Sequence, residues 1–555
     1  MADSDSEVAS RPQQSLLASR RQQESDTSKK QSRFAGIFPL GYKEGFSQWW
    51  SAPSAADAEH KVLSFIPYLQ SPPTHTQTGS EPPSRNPSTM NVSQAPEDMA
   101  KPITTNSITD PYGPRTWHSR MVQLAGKNKA MNEFSVERTG EEADQNLVIL
   151  HGYGAGLGFF YKNFEGLSRP KGWHLYALDM LGMGRSSRPP FKIHAKSKEA
   201  QIREAEDWFI DSLEEWRKKK NIDKMTLVGH SMGGYMAVCY ALKYPGRLNK
   251  LILASPVGIP EDPYAVKADM PEPPDSTLAS EFTQDQESES RQQNLGDNNN
   301  FLNAQSRAEK DQAKQAPNSN RLPASKGDTP RRPLPKWLTY LWDANISPFS
   351  LVRWSGPLGP RLVSGWTSRR FSHLPPEEAL ALHDYSYSLF KLRGSGEYAL
   401  AYILAPGAFA RSPLIKRIGG VGRQQLPQTA DASAPSNMSS STESFQNVDP
   451  AAEVPSSKAS KLQKETGIPV VLMYGENDWM DVKGGYAAAD LMNAERRKAL
   501  ASASEEDKRN DRGSAKVVII KKAGHHVYLD NADHFNQVML EEMEDVRKHA
   551  SKMAG

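Results

Sequence analysis

The chain has 555 residues, 24% of them charged and 37% hydrophobic, with a net charge of +3 at neutral pH. That balance gives no electrostatic reason to expect a nucleic-acid partner. A single cysteine, Cys239, excludes an internal disulfide framework and argues against a cysteine–zinc site. No run approaches the roughly 20 apolar residues that span a bilayer.

Residues 1–34 mix Asp3, Asp5 and Glu7 with scattered Arg and Lys and hold no apolar stretch, unlike a secretory signal. They are expected to be a disordered tail. The same holds for a linker over 71–108 and for insertions at about 264–332 and 423–464. In each, Ser, Pro, Gln, Asn and charge leave little apolar surface to offset the entropy of ordering. Residues 35–70 differ. Phe46, Trp49 and Trp50 precede a short helical stretch in which Ala58, Val62, Phe65 and Ile66 share one face. Such aromatics suit either a membrane–water interface or an extension of the core.

Apolar strand candidates then recur with helical stretches between them: Leu147–Leu150, Trp173–Leu178, Met225–Val228, Lys250–Ala254, Val470–Tyr474 and Lys516–Ile520. Continuous apolar runs alternating with helices predict an α/β architecture, a mostly parallel sheet covered on both faces. The core is expected over 109–257 and 467–555. Residues 258–466, aromatic-rich around Trp337, Trp342, Trp354 and Trp366, are expected to form an inserted lid.

Chemistry concentrates after the strands. Gly229-His-Ser-Met-Gly233 follows the Met225–Val228 strand and precedes a helical run, the setting in which G-x-S-x-G becomes a nucleophile elbow with Ser231 at its tip. A strained turn there needs the glycines. The histidine is expected at His525, just after the last strand, with His526 as its competitor. The acid is expected after the preceding strand, in YGENDWMD, at Asp478 or alternatively Asp481. It must accept a hydrogen bond from the histidine ring and stabilise the imidazolium. Two backbone amides aimed at an oxyanion are expected from Met232, next to the serine, and Tyr153, in His151-Gly-Tyr-Gly-Ala-Gly156. This constellation needs no metal and no organic cofactor.

With these residues placed, the chain resembles one branch of the α/β-hydrolase superfamily. That branch includes the cardiolipin-specific deacylase of fungal mitochondria, related lysophosphatidic acid acyltransferases and an animal lipase co-activator of lipid droplets. The resemblance rests on HGYGAGLGFF, LDMLGMGRSSRP, GHSMGGY, SPVGIPEDP, SPFSLVRWSGPLGPRLV and AGHHVYLD, spread over 112–263, 333–420 and 466–546. It implies that Ser231 is the nucleophile and His525 the base, and the co-activator's asparagine at the serine position is absent here. His525 and Asp530 also match the H-x4-D pattern associated with acyl transfer in this branch, although Asp530 also fits a cap on the helix that follows.

The expected function is deacylation of a glycerophospholipid, cardiolipin by resemblance, through an acyl-enzyme at a membrane or lipid-droplet surface reached by Phe46, Trp49 and Trp50. The mitochondrion is the expected compartment. The alternatives are lysophosphatidic acid acyl transfer from acyl-CoA and a non-catalytic lipase scaffold. Arg411, Lys416 and Arg417 are candidates either for a phosphate headgroup or for a solvated basic face.

Overall fold

The computed structural model describes residues 39–78, 98–261, 347–405, 409–426 and 463–554. The expectations for 1–34 and 264–332, and for Trp337 and Trp342, fall outside these residues.

On strand β3, Gln145–Leu150, the side chains of Leu147 and Ile149 enter one apolar layer, while Val148 and Leu150 enter a second. The sheet contains β1 (Arg115–Gln123), β2 (Ala130–Arg138), β3, β4 (Trp173–Leu178), β5 (Met225–His230), β6 (Leu248–Ala254), β7 (Pro469–Gly475) and β8 (Ser514–Ile520). The same division recurs on β4, β5 and β7: Leu175, Val228 and Met473 lie on one side, and Tyr176, Leu227 and Leu472 on the other. A strand buried on both faces reads as a continuous apolar run, which is why these segments are visible in sequence. Spatially the order is β1-β2-β4-β3-β5-β6-β7-β8, with two short pieces, Asp98–Met99 and Ile103–Thr104, paired to β1. From β4 through β8 every pairing is parallel, and β2 is antiparallel to both β1 and β4.

Strands β1 and β2 escape the apolar-run criterion because charged and polar side chains lie inside them. Arg115 is buried against Asp110 at 2.7 Å and Glu165 at 3.1 Å. Glu133 accepts from Trp216 Nε1 and Lys220 Nζ, each at 2.8 Å. Lys250 in β6 is likewise held by Glu542 at 2.7 Å and Asp545 at 2.6 Å.

The N-terminal segment is part of this body. Helix α1 (Tyr42–Trp50) packs on the lid, and α2 (Ala55–Leu63) places Ala58 and Val62 in the core, with Ile66 just beyond it. Glu59 on α2 is buried; it pairs with Arg185 at 2.5 Å and accepts from Asn132 Nδ2 and Tyr385 Oη, both at 3.2 Å. Arg185 also donates to the carbonyls of His75 and Gln77. The expected linker over 71–108 is therefore corrected at both ends: residues 71–78 and 98–108 are ordered, with His75 and Thr78 buried. Polar residues there read as linker because their buried partners are remote in sequence.

Between β6 and β7 the expected lid segment carries α3 (Pro348–Trp354), α4 (Gly359–Arg370), α5 (Pro376–Lys391) and α6 (Gly396–Ile403). Trp366 packs among Phe371 and Phe390, whereas Trp354 is exposed.

Candidate active site

Residues after the carboxyl ends of β3, β5, β7 and β8 converge above the sheet, where parallel α/β sheets commonly bind ligands. Ser231 follows β5 with φ 51° and ψ −116°, a left-handed conformation rare for a serine, and caps helix Met232–Lys243. The turn is held by Ser231 N–H donating to Ala254 O at 2.9 Å, and by Tyr235 N–H donating to Ser231 O at 3.1 Å. Its glycines are required sterically. A Cβ on Gly229 would lie 2.3 Å from Gly233 O, and one on Gly233 would lie 2.6 Å from His151 O. Strand, helix and the 151–156 loop thus meet backbone to backbone, and Ser231 keeps only 8% of its surface exposed.

His525 Nδ1 lies 3.2 Å from Asp478 Oδ1, with both side chains buried. Asp478 also accepts from Gly475 N at 3.3 Å and Met480 N at 3.1 Å. Burial alone raises the Asp478 pKa, but the hydrogen bond and charge of His525 outweigh it, so the carboxyl sits below its ordinary value. Asp481 is elsewhere: it caps the helix Val482–Ala501, accepting from Lys483 N at 3.0 Å. Gly475 allows the two loops to touch, since a Cβ there would lie 2.1 Å from Gly524 O.

The structure also separates the two histidines. His526 turns toward Phe159, His230 and Tyr528. His525 Nε2 has no hydrogen-bond partner among the described residues, so a bond from Ser231 is not formed here. Catalytic hydrogen bonds commonly tighten only once substrate is bound. Beside the serine, His230 Nε2 donates to His525 O at 3.0 Å, linking the nucleophile turn to the histidine loop. That link and Trp479, whose ring centroid is 4.8 Å from that of His525, went unread in the sequence. Neither carries a spacing signal of its own.

Met232 N–H heads its helix, among the amides that a helix leaves without internal acceptors. A Cβ on Gly152 would lie 3.1 Å from Ser231 Cβ, which puts the Tyr153 loop against the same turn. His151 braces that loop: Nε2 accepts from Met180 N at 3.1 Å, leaving Nδ1 to donate to Gly152 O at 2.7 Å. The Tyr153 ring stacks on Phe349 of α3 at 5.0 Å, so the lid rests on the loop.

Two alternative readings are corrected. Asp530 is not the helix cap. Asn531 Oδ1 fills that role, accepting from His534 N at 3.2 Å, and Asp530 Oδ2 accepts from Gly524 N at 2.9 Å. Arg417 is an internal ion-pair partner of Glu206 and donates to Tyr235 Oη at 2.6 Å. Lys416 is exposed and meets Glu261 at 3.1 Å on the surface, in keeping with a solvated face, and Arg411 donates to Ala401 O at 2.8 Å.

Residues 145–532 match the family described as the alpha/beta hydrolase fold. The chain is 30% identical over 406 residues to a 1-acylglycerol-3-phosphate O-acyltransferase of Arabidopsis thaliana, covering 72% of this chain and 66% of that relative. It is 26% identical over 459 residues to 1-acylglycerol-3-phosphate O-acyltransferase ABHD5 of Mus musculus, covering 82% and 89%. It is 40% identical over 147 residues to the abhydrolase domain-containing protein abhd-5.2 of Caenorhabditis elegans, covering 26% and 31%. An esterase from Exiguobacterium antarcticum aligns over 76% of this chain and 98% of its own, at 12% identity and a TM-score of 0.40. The chain belongs to the α/β-hydrolase family, in the branch of ABHD5 and the 1-acylglycerol-3-phosphate O-acyltransferases.

Proposed function

We propose that the chain is a serine acyl-ester hydrolase acting on a glycerophospholipid at a membrane surface. The observation that carries this reading is the buried His525–Asp478 pair, its Nε2 unpartnered, joined through His230 to a strained Ser231 turn. Ser231 Oγ attacks the ester carbonyl while His525 Nε2 takes its proton, and Asp478 stabilises the imidazolium. The amides of Met232 and Tyr153 hold the oxyanion. His525 then protonates the departing lysophospholipid oxygen, and water releases the fatty acid from the acyl-enzyme.

Cardiolipin, and with it the mitochondrion, is the substrate and setting that the family resemblance suggests. A second reading is supported by the relatives named 1-acylglycerol-3-phosphate O-acyltransferase. In it, the acyl-enzyme forms from acyl-CoA and a lysophosphatidic acid hydroxyl replaces water. Asp530 is not needed in either reading, since it contacts Gly524 rather than the His525 ring. Membrane contact is assigned to α1, whose Phe46 and Trp50 are 52% and 77% exposed, with Trp49 beside them at 37%. Among the described residues no helix is long and apolar enough to cross a membrane.

The test presents vesicles of cardiolipin and phosphatidylcholine, and separately acyl-CoA with lysophosphatidic acid, to the purified chain and to Ser231→Ala. Released fatty acid supports hydrolysis, and phosphatidic acid supports transfer. Either product should fall on the order of 10⁶-fold in the variant. Activity retained by Ser231→Ala contradicts both readings.

A further inference from the structure

The loop that carries the Tyr153 amide ends in two peptide N–H groups held from behind by buried polar side chains, which the proposed mechanism does not use. Leu157 N–H donates to Asp179 Oδ1 at 2.7 Å, and the next amide, Gly158 N–H, donates to Tyr385 Oη at 3.3 Å. Both acceptors lead back to one atom. Tyr385 Oη donates to Glu59 Oε2 at 3.2 Å, and Asn132 Nδ2 donates to the same Oε2 at 3.2 Å and to Asp179 Oδ2 at 2.7 Å. The other oxygen, Glu59 Oε1, is taken by Arg185 Nη1. Glu59 lies on α2, Asn132 on β2, Asp179 directly after β4 and Tyr385 on α5, so four separate parts of the chain meet at the back of this loop. None of these four side chains is more than 1% exposed.

Packing leaves the loop little freedom to shift without them. A Cβ on Gly156 would lie 2.4 Å from Tyr385 Oη, and one on Gly158 would lie 2.9 Å from Tyr385 Cε1. At the opposite end of the loop, Gly152 abuts Ser231. A carboxylate accepts more strongly than a neutral oxygen, and bonds in a buried chain reinforce one another. The two routes from Glu59 therefore fix consecutive amides of the segment that places Tyr153 beside the serine.

We infer that Glu59 and Tyr385 are positioning residues for the oxyanion loop, so that a carboxylate supplied by the N-terminal segment sets where the Tyr153 amide stands relative to Ser231. This rests on reading the site as an acyl-ester site. Oxyanion donors accelerate the reaction only when they match the tetrahedral state, whereas ground-state binding needs no such match. A loosened loop thus loses rate and keeps substrate affinity.

The test is steady-state kinetics on a soluble short-chain ester. Tyr385→Phe deletes only the oxygen that links Gly158 to Glu59. Its kcat should fall by about tenfold with KM within about twofold, less than the roughly 10²–10³ lost when an oxyanion donor is itself removed. The Ki of a trifluoromethyl ketone, whose adduct with Ser231 mimics the tetrahedral state, should rise by about the same factor. Glu59→Gln should show the same split, and the double variant should lose less than the two single losses combined, because both act through one oxygen. His383→Gln, two residues before Tyr385, loosens α5 without touching the loop and should leave kcat and KM within about twofold. Should Glu59→Gln fail to fold, Tyr385→Phe carries the test alone. Unchanged kcat in folded Tyr385→Phe, a loss confined to KM, or an equal kcat loss in His383→Gln would make these contacts ordinary packing and overturn the inference. Wild-type protein that turns over no ester removes the enzymatic reading and this inference with it, whereas an active wild type matched by Tyr385→Phe removes the inference alone.

Discussion

His525 Nδ1 lies 3.2 Å from Asp478 Oδ1, while Asp481, three residues along the same loop, caps a helix. Asp478, the first choice from the sequence, and Asp481, its alternative, are thus separated by what their oxygens accept. Asp478→Asn should lower turnover by about 10⁴-fold, because the amide no longer holds the ring tautomer. Asp481→Asn, which retains a capping oxygen, should stay within about threefold. Steady-state kinetics on a soluble short-chain ester check both, and a larger loss at Asp481 would reverse the assignment.

Glu59 joins the N-terminal segment to the hydrolase core through Arg185, Asn132 and Tyr385. Glu59→Ala leaves the Arg185 guanidinium buried with its Glu59 partner removed, a change that costs about 3–5 kcal/mol. Burial raises the Glu59 pKa against the lowering effect of Arg185, which places the expected loss toward the lower end. Denaturant unfolding gives the value. A change under about 1 kcal/mol would mean that the segment is dispensable.

His383 ties three helices together: Nδ1 meets Thr367 Oγ1 at 2.7 Å and Nε2 meets Gln48 Oε1 of α1 at 3.1 Å. Burial pushes its pKa down from 6.5 to about 4. The unfolded chain therefore binds a proton below pH about 6.5 that the native state refuses, and stability falls as pH drops toward 4. Between pH 7 and 5 this one group should account for about 2 kcal/mol. In His383→Gln the decline should be shallower by that amount, and parallel pH profiles would refute the assignment.

Phe46, Trp49 and Trp50 stand out from α1, and the lid residues Trp354 and Leu358 are also exposed on elements packed beside one another. Replacing the three α1 aromatics with serine should weaken binding to phospholipid vesicles by about 10- to 100-fold, because each inserted ring contributes apolar burial. The thermal midpoint should stay within about 5 °C, as expected for exposed positions. Vesicle cosedimentation checks this, and undiminished binding would move the contact surface elsewhere.

Legibility in sequence followed burial chemistry. β3 to β8 and the residues at their ends were readable because apolar runs on both faces give way to glycines and to Ser231, Asp478 and His525. β1 and β2 were missed because Arg115, Asn132 and Glu133 face inward, each satisfied by partners distant in the chain. The same reason hid His75 within the expected linker and the buried role of Glu59 in the helical stretch before it.

The most direct trial of the account is covalent labelling with a fluorophosphonate, followed by peptide mapping. The account predicts one adduct, on Ser231, absent in His525→Ala and strongly slowed in Asp478→Asn. Folded wild-type protein that takes up no probe, or takes it up at a residue other than Ser231, would contradict the account and leave a non-catalytic scaffold in its place.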